Sequence, residues 1–132
     1  MANYHHIILY IALIFLGGSL LVPGLMSILS PIWEGTPLTI GVDVRNQMRA
    51  LNGMVTAVGA ISFWCCFNLQ DKRQLVRALG LILLFAGLAK VYSMLVDGVP
   101  GLYSSIYLIA EFSLAFLFLV WPPKGEAHTG RL

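Results

Sequence analysis

The sequence predicts an all-α polytopic membrane protein, a four-transmembrane-helix bundle, and three observations carry that expectation. Of its 132 residues 58% are hydrophobic and 11% charged, with a mean hydropathy of +0.84, whereas soluble domains carry about 25% charged residues. The apolar residues fall into four runs, each close to the roughly 20 residues needed to cross a bilayer. Segments rich in proline, glycine and charge separate the runs and leave little chain for an outside domain. The whole of 1–132 therefore reads as a single integral membrane domain.

The first helix is expected over about residues 7–28. It is read as a membrane span rather than a signal peptide, because it is long and lacks both a positive n-region and an A-x-A cleavage site. Gly17, Gly18 and Ser19 give it a thin waist for close helix approach. Pro23-Gly24 is expected to kink it or end it early. Ser30–Val44 holds two prolines, two glycines and two acids, and reads as the longest loop, with Trp33 as an interfacial anchor. The second helix, about 44–67, is the most polar at its start and ends near Trp64. A basic connector, Asn68–Arg77, leads to a third helix over about 75–96, which runs into the turn Asp97-Gly98-Val99-Pro100. The fourth, about 102–121, stops at Pro122-Pro123, and 122–132 reads as a flexible, solvated tail.

Charge sets the expected topology. With four spans, Lys72, Arg73, Arg77, Lys124 and Arg131 share one side with both termini. The positive-inside rule makes that side cytoplasmic. Glu34, Asp43 and Asp97 lie opposite, with Arg45 as the surface base there. The net charge of +2 is small and its bases are dispersed, which excludes a nucleic-acid footprint.

Depth can be read from the helical rise. Counted from the outer ends of their helices, Arg49 lies roughly 7–9 Å deep, Lys90 roughly 9 Å and Glu111 roughly 13 Å. Three helices thus bring a charge to similar depth. Helical spacing extends each into a stripe: Arg45, Arg49, Asn52 and Thr56; Lys90, Ser93 and Asp97; Ser104, Tyr107 and Glu111. Gly80 and Gly87 form a small-residue stripe about 60° from Lys90, which turns the lysine toward a packed interface. The expected result is a polar pocket between helices two, three and four, open to the outside. Its candidate ligand-binding residues are Arg45, Arg49, Asn52, Lys90, Ser93, Asp97, Tyr107 and Glu111.

Plainer readings compete with it. Arg49 and Lys90 have stems long enough to snorkel to the interface. Glu111 cannot reach so far, so it is paired with Arg49 or Lys90, or protonated. Asp97 can be an ordinary turn residue, although an acid at a helix C-terminus opposes the macrodipole and favours a basic partner such as Arg45. His5 and His6 have no acidic or cysteine companions and read as interface residues. Adjacent Cys65 and Cys66 match neither a redox nor a metal-ligand spacing. Tyr4, Tyr10, Tyr103, Tyr107 and Trp121 suit an aromatic belt.

Arg49-Ala50-x-x-Gly53, Lys90-x-x-Ser93-x-x-x-Asp97-Gly98-x-Pro100 and Glu111 together resemble a bacterial family of small four-helix membrane proteins of unknown function, DoxX-like in architecture. The resemblance covers roughly 45–121, with lysine at position 90 where the family usually has arginine. It implies a fold and a bacterial inner-membrane location, and no reaction.

Three functions follow. The first is a binding or accessory module whose pocket holds a membrane lipid or a small anionic or amphiphilic molecule. Arg45, Arg49 and Lys90 against Glu111 and Asp97 leave one surplus positive charge, which favours an anion. The second is a membrane-embedded enzyme or quinone-linked subunit using Glu111 or Lys90 in proton transfer. The third is a proton-coupled transporter, which at four helices needs a homo-oligomer. No nucleophile with a base, metal cluster or cofactor-binding loop is visible in the sequence, so the expectation is a non-enzymatic role with no cofactor.

Overall fold

The computed structural model describes residues 2–30, 32–33, 36–37, 41–67 and 69–123. Among them the chain forms α1 (Ala2–Leu29), β1 (Ile32–Trp33), β2 (Thr36–Pro37), α2 (Val42–Cys65), α3 (Arg73–Asp97) and α4 (Leu102–Val120). Three of these helices, over Tyr4–Leu29, Arg73–Asp97 and Leu102–Val120, are long and apolar enough to cross a membrane. The chain thus has the helices of a membrane protein. The segment α2 stands apart because Asp43, Arg45 and Arg49 crowd its first two turns.

Helix α1 starts earlier than the sequence suggests and continues past Pro23 to Leu29, so the proline does not end it. The proline removes one backbone donor, but that leaves a single carbonyl to satisfy, which a long membrane helix tolerates. The expected loop after it contains a minimal hairpin, in which Ile32 pairs with Pro37 and Trp33 with Thr36. Glu34 and the residues from Lys124 to Leu132 lie outside the described residues.

Two compact units make up the chain: Met1–Tyr10 with Asn68–Leu132, and Ile11–Phe67. In the second, α1 and α2 touch through glycine. A Cβ on Gly59 would stand 2.6 Å from the Leu21 nitrogen, and one on Gly17 would stand 2.8 Å from the Phe63 ring. Backbones therefore meet where side chains would normally keep them apart, the device of membrane helix pairs, which gain nothing from leaving lipid and associate through packing. Gly18 meets nothing within 4 Å. One residue along a helix turns the chain by about 100°, so of the two glycines of the expected waist Gly17 is the one in contact.

In the first unit α3 and α4 form an antiparallel pair. Gly98, with φ of 101°, breaks α3 in a conformation closed to residues with a Cβ. The chain then re-enters helix at Leu102. Gly80 receives Phe118 and Leu119, and Gly87 receives the Phe112 ring, so the glycine stripe does face a packed interface. Val76, Leu79, Leu83, Ala115 and Phe118 are buried around it, joined by Leu9 and Leu69.

Candidate functional site

The short turn after Asp97 decides which charges meet. Lys90 stands seven residues before the end of α3 and Glu111 nine residues after the start of α4, which places them about 10 and 13 Å from the turn. Antiparallel packing sets them side by side. Lys90 Nζ donates to Glu111 Oε1 at 2.5 Å, with the two side chains 39% and 18% exposed. The ammonium also lies 6.0 Å from the centre of the Tyr107 ring, within range of a cation–π attraction. Tyr107 precedes Glu111 by one turn and shares its face.

The pair is incomplete in one respect. Glu111 Oε2 is buried and has no hydrogen-bond partner among the described residues. Buried polar atoms are satisfied in the great majority of cases, so each exception calls for an explanation. Lys90, by contrast, has three donor hydrogens and spends one on Glu111. The site therefore offers an acceptor without a partner beside spare donors, on two helices that are apolar enough to cross a membrane.

Further along α3, Ser93 Oγ donates to Asp97 Oδ2 at 2.9 Å, and both residues are exposed. Asp97 thus finds its partner on its own helix, a hydroxyl instead of the basic side chain expected for it. This pair lies one and two turns beyond Lys90 toward the Gly98 turn.

The α2 stripe is committed differently. In its own unit it addresses α1: Arg49 Nε donates to the Ile28 carbonyl at 3.1 Å, and a Cβ on Gly24 would run into the Thr56 hydroxyl. Arg49 so provides a donor and a positive charge to the end of α1, where carbonyls lack helical partners and the macrodipole is negative. Asn52 Nδ2 donates to the Met48 carbonyl at 3.0 Å, and the Thr56 hydroxyl to the Asn52 carbonyl at 2.8 Å. Arg45 is exposed. The structure therefore joins Lys90, Glu111 and Tyr107, while it engages Arg49 and Asn52 in local bonds that the sequence reading had reserved for a guest.

One arrangement escaped the sequence altogether. His5 is 4% exposed, its ring 4.4 Å from that of Trp121, and its Nε2 lies 2.9 Å from the Trp121 carbonyl oxygen. A carbonyl only accepts, so Nε2 carries the proton. The available signal was weak: an even number of spans returns the C-terminus to the side of the N-terminus, and Pro122-Pro123 holds Trp121 there. Among the described residues no group of three or more His, Cys, Asp or Glu could hold a metal ion.

Fold and site define a small polytopic helical membrane protein with an ion pair between two of its apolar helices. The chain belongs to the DUF4345 family, a domain of unknown function, which it matches over residues 8–122. That match agrees with the expected family of unknown function and carries no information on DoxX-like architecture. No curated protein and no solved structure matches the chain.

Proposed function

We propose that this chain is an inner-membrane protein with four transmembrane helices and both termini in the cytoplasm, and that Lys90, Glu111 and Tyr107 hold the polar head of a membrane-borne amphiphile. The observation that carries this reading is the Lys90–Glu111 pair, set between two helices long and apolar enough to cross a membrane, with one buried oxygen unfilled. A charge in hydrocarbon costs several kcal/mol, about 2.5–3.5 on insertion scales, and residues that bear it tend to mark functional sites. The aliphatic flanks of α3 and α4 suit a tail, and the pair suits a head. Arg45 and the guanidinium of Arg49 are exposed near the start of α2 and suit an anionic lipid headgroup at the outer surface. Ser93 and Asp97 line the approach along α3 from its Gly98 end.

The fourth span is α2. Its polar first turns are compatible with a membrane because Arg49 finds the end of α1 and Asn52 and Thr56 bond within the helix. Topology is tested by labelling single cysteines from outside the cell, in a background without Cys65 and Cys66. Gly35→Cys should react and Gln70→Cys should not; the opposite pattern would overturn the orientation. Ligand binding is tested by thermal unfolding of the purified protein with added single-chain amphiphiles. They should stabilise the wild type and lose that effect in a Lys90→Met/Glu111→Leu variant. Equal stabilisation of both proteins would remove the site from consideration.

A further inference from the structure

The state of the two charged groups narrows the chemistry of the guest, and this inference rests on the amphiphile-binding reading above. An anion is the natural partner of a free lysine. Here, however, Lys90 is already neutralised by Glu111, whose Oε1 lies 2.5 Å from Nζ. Any anionic oxygen that reached the ammonium would also come close to a carboxylate. Like charges at such distances disfavour each other, and more strongly away from bulk water. The atom that lacks a partner is Glu111 Oε2, and an oxygen of a carboxylate can be satisfied only by a donor.

We infer that the site takes an uncharged amphiphile whose head is a hydroxyl group. The guest hydroxyl donates to Glu111 Oε2, and its oxygen, or a neighbouring ester oxygen, accepts from a spare N–H of Lys90. Such a head completes both members of the pair without adding charge. Tyr107, 52% exposed and one turn from Glu111, lies beside the pair, and its ring and phenol would meet the head or the first methylenes of the tail. Hydrogen bonds to charged groups are among the stronger ones, and the loss of one that fills a buried acceptor corresponds to a difference in affinity of roughly tenfold to a hundredfold.

The experiment compares three amphiphiles with one tail: monoolein, which carries free hydroxyls; methyl oleate, an ester without a donor; and oleate, the anion. Retention of each by the purified protein in an uncharged detergent is read by native mass spectrometry and by the shift in melting temperature. The proteins are the wild type and the double variant Lys90→Met/Glu111→Leu. Removing both charges together leaves no buried ion unpaired and is the change most compatible with folding. The expected result is that the wild type retains monoolein at least tenfold better than either competitor, and that the double variant treats monoolein and methyl oleate alike. Preference for oleate in the wild type, abolished in the double variant, would overturn the uncharged guest and leave the site in place. Equal retention of all three by the wild type, or a monoolein preference that survives in the double variant, would overturn both the guest and the site.

Discussion

The two ends of the α3–α4 pair are built on different terms. Toward the start of α3, Val76, Leu79 and Leu83 are buried with Ala115 and Phe118, and glycine at position 80 lets the helices close on Phe118. Toward the Gly98 turn the same two helices expose Tyr92, Leu95, Val96, Leu102, Tyr103 and Ile106, and their conspicuous mutual contact is polar. One end is held by shape, and nearer the turn an ion pair adds to the packing of Phe112 on Gly87. Shape complementarity is spread over many atoms and leaves no room for a visitor. An ion pair is local, and in this one the Lys90 side chain stays partly open. The proposed site lies at the polar end, and the buried core gathers at the other.

Four substitutions test this contrast, and the largest effect belongs to the packed end. Phe118→Ala removes a fully buried ring from between the helices and should cost about 3–5 kcal/mol, the range for such truncations. Equilibrium unfolding in detergent measures it, and a loss below about 1 kcal/mol would show that the packed end is not the anchor. Next comes the polar end. Glu111→Ala leaves the Lys90 ammonium without its partner and should cost about 3 kcal/mol, the lower edge for a broken buried pair because Lys90 is partly open. Glu111→Gln should cost less, since its amide oxygen still accepts from Lys90. Negligible effects of both changes would show that the pair contributes no cohesion. The smallest effect is expected for His5→Ala, which removes one hydrogen bond to the Trp121 carbonyl and should cost about 1 kcal/mol. Amide exchange of the last turn of α4 should quicken with it, while exchange around Glu111 should not.

Much of this pair could be anticipated from residues alone. Asp97-Gly98-Val99-Pro100 announced the turn, and Gly80 and Gly87 announced the interface, because both signals are local and steric. The partner of Glu111 was another matter. Arg49 and Lys90 stand at nearly the same depth, and depth says nothing about which helices are neighbours. The brevity of the turn after Asp97 favoured Lys90, an argument about connection rather than charge. The α2 stripe shows the same limit: Arg49, Asn52 and Thr56 marked a polar face, but the face was aimed by Gly24 and Gly59, which carry no polarity to notice. His5 lay beyond reach because its partner is a main-chain carbonyl, a group every residue possesses.

The bond from Arg49 to Ile28 also bears on the order in which the chain is made. Synthesis delivers α1 before α2. Until Arg49 arrives, the Ile28 carbonyl lacks this donor, and unmet carbonyls are costly in hydrocarbon. On the four-span topology, Arg49 in turn has no anion on α1 to meet, only that carbonyl. On that topology α2 carries a charge that the end of α1 helps to satisfy, whereas α1 is long and apolar enough to cross a membrane by itself. On the four-span topology, biogenesis should favour entry of α2 while α1 is still at hand, with the Arg49–Ile28 bond made before α2 is released into lipid.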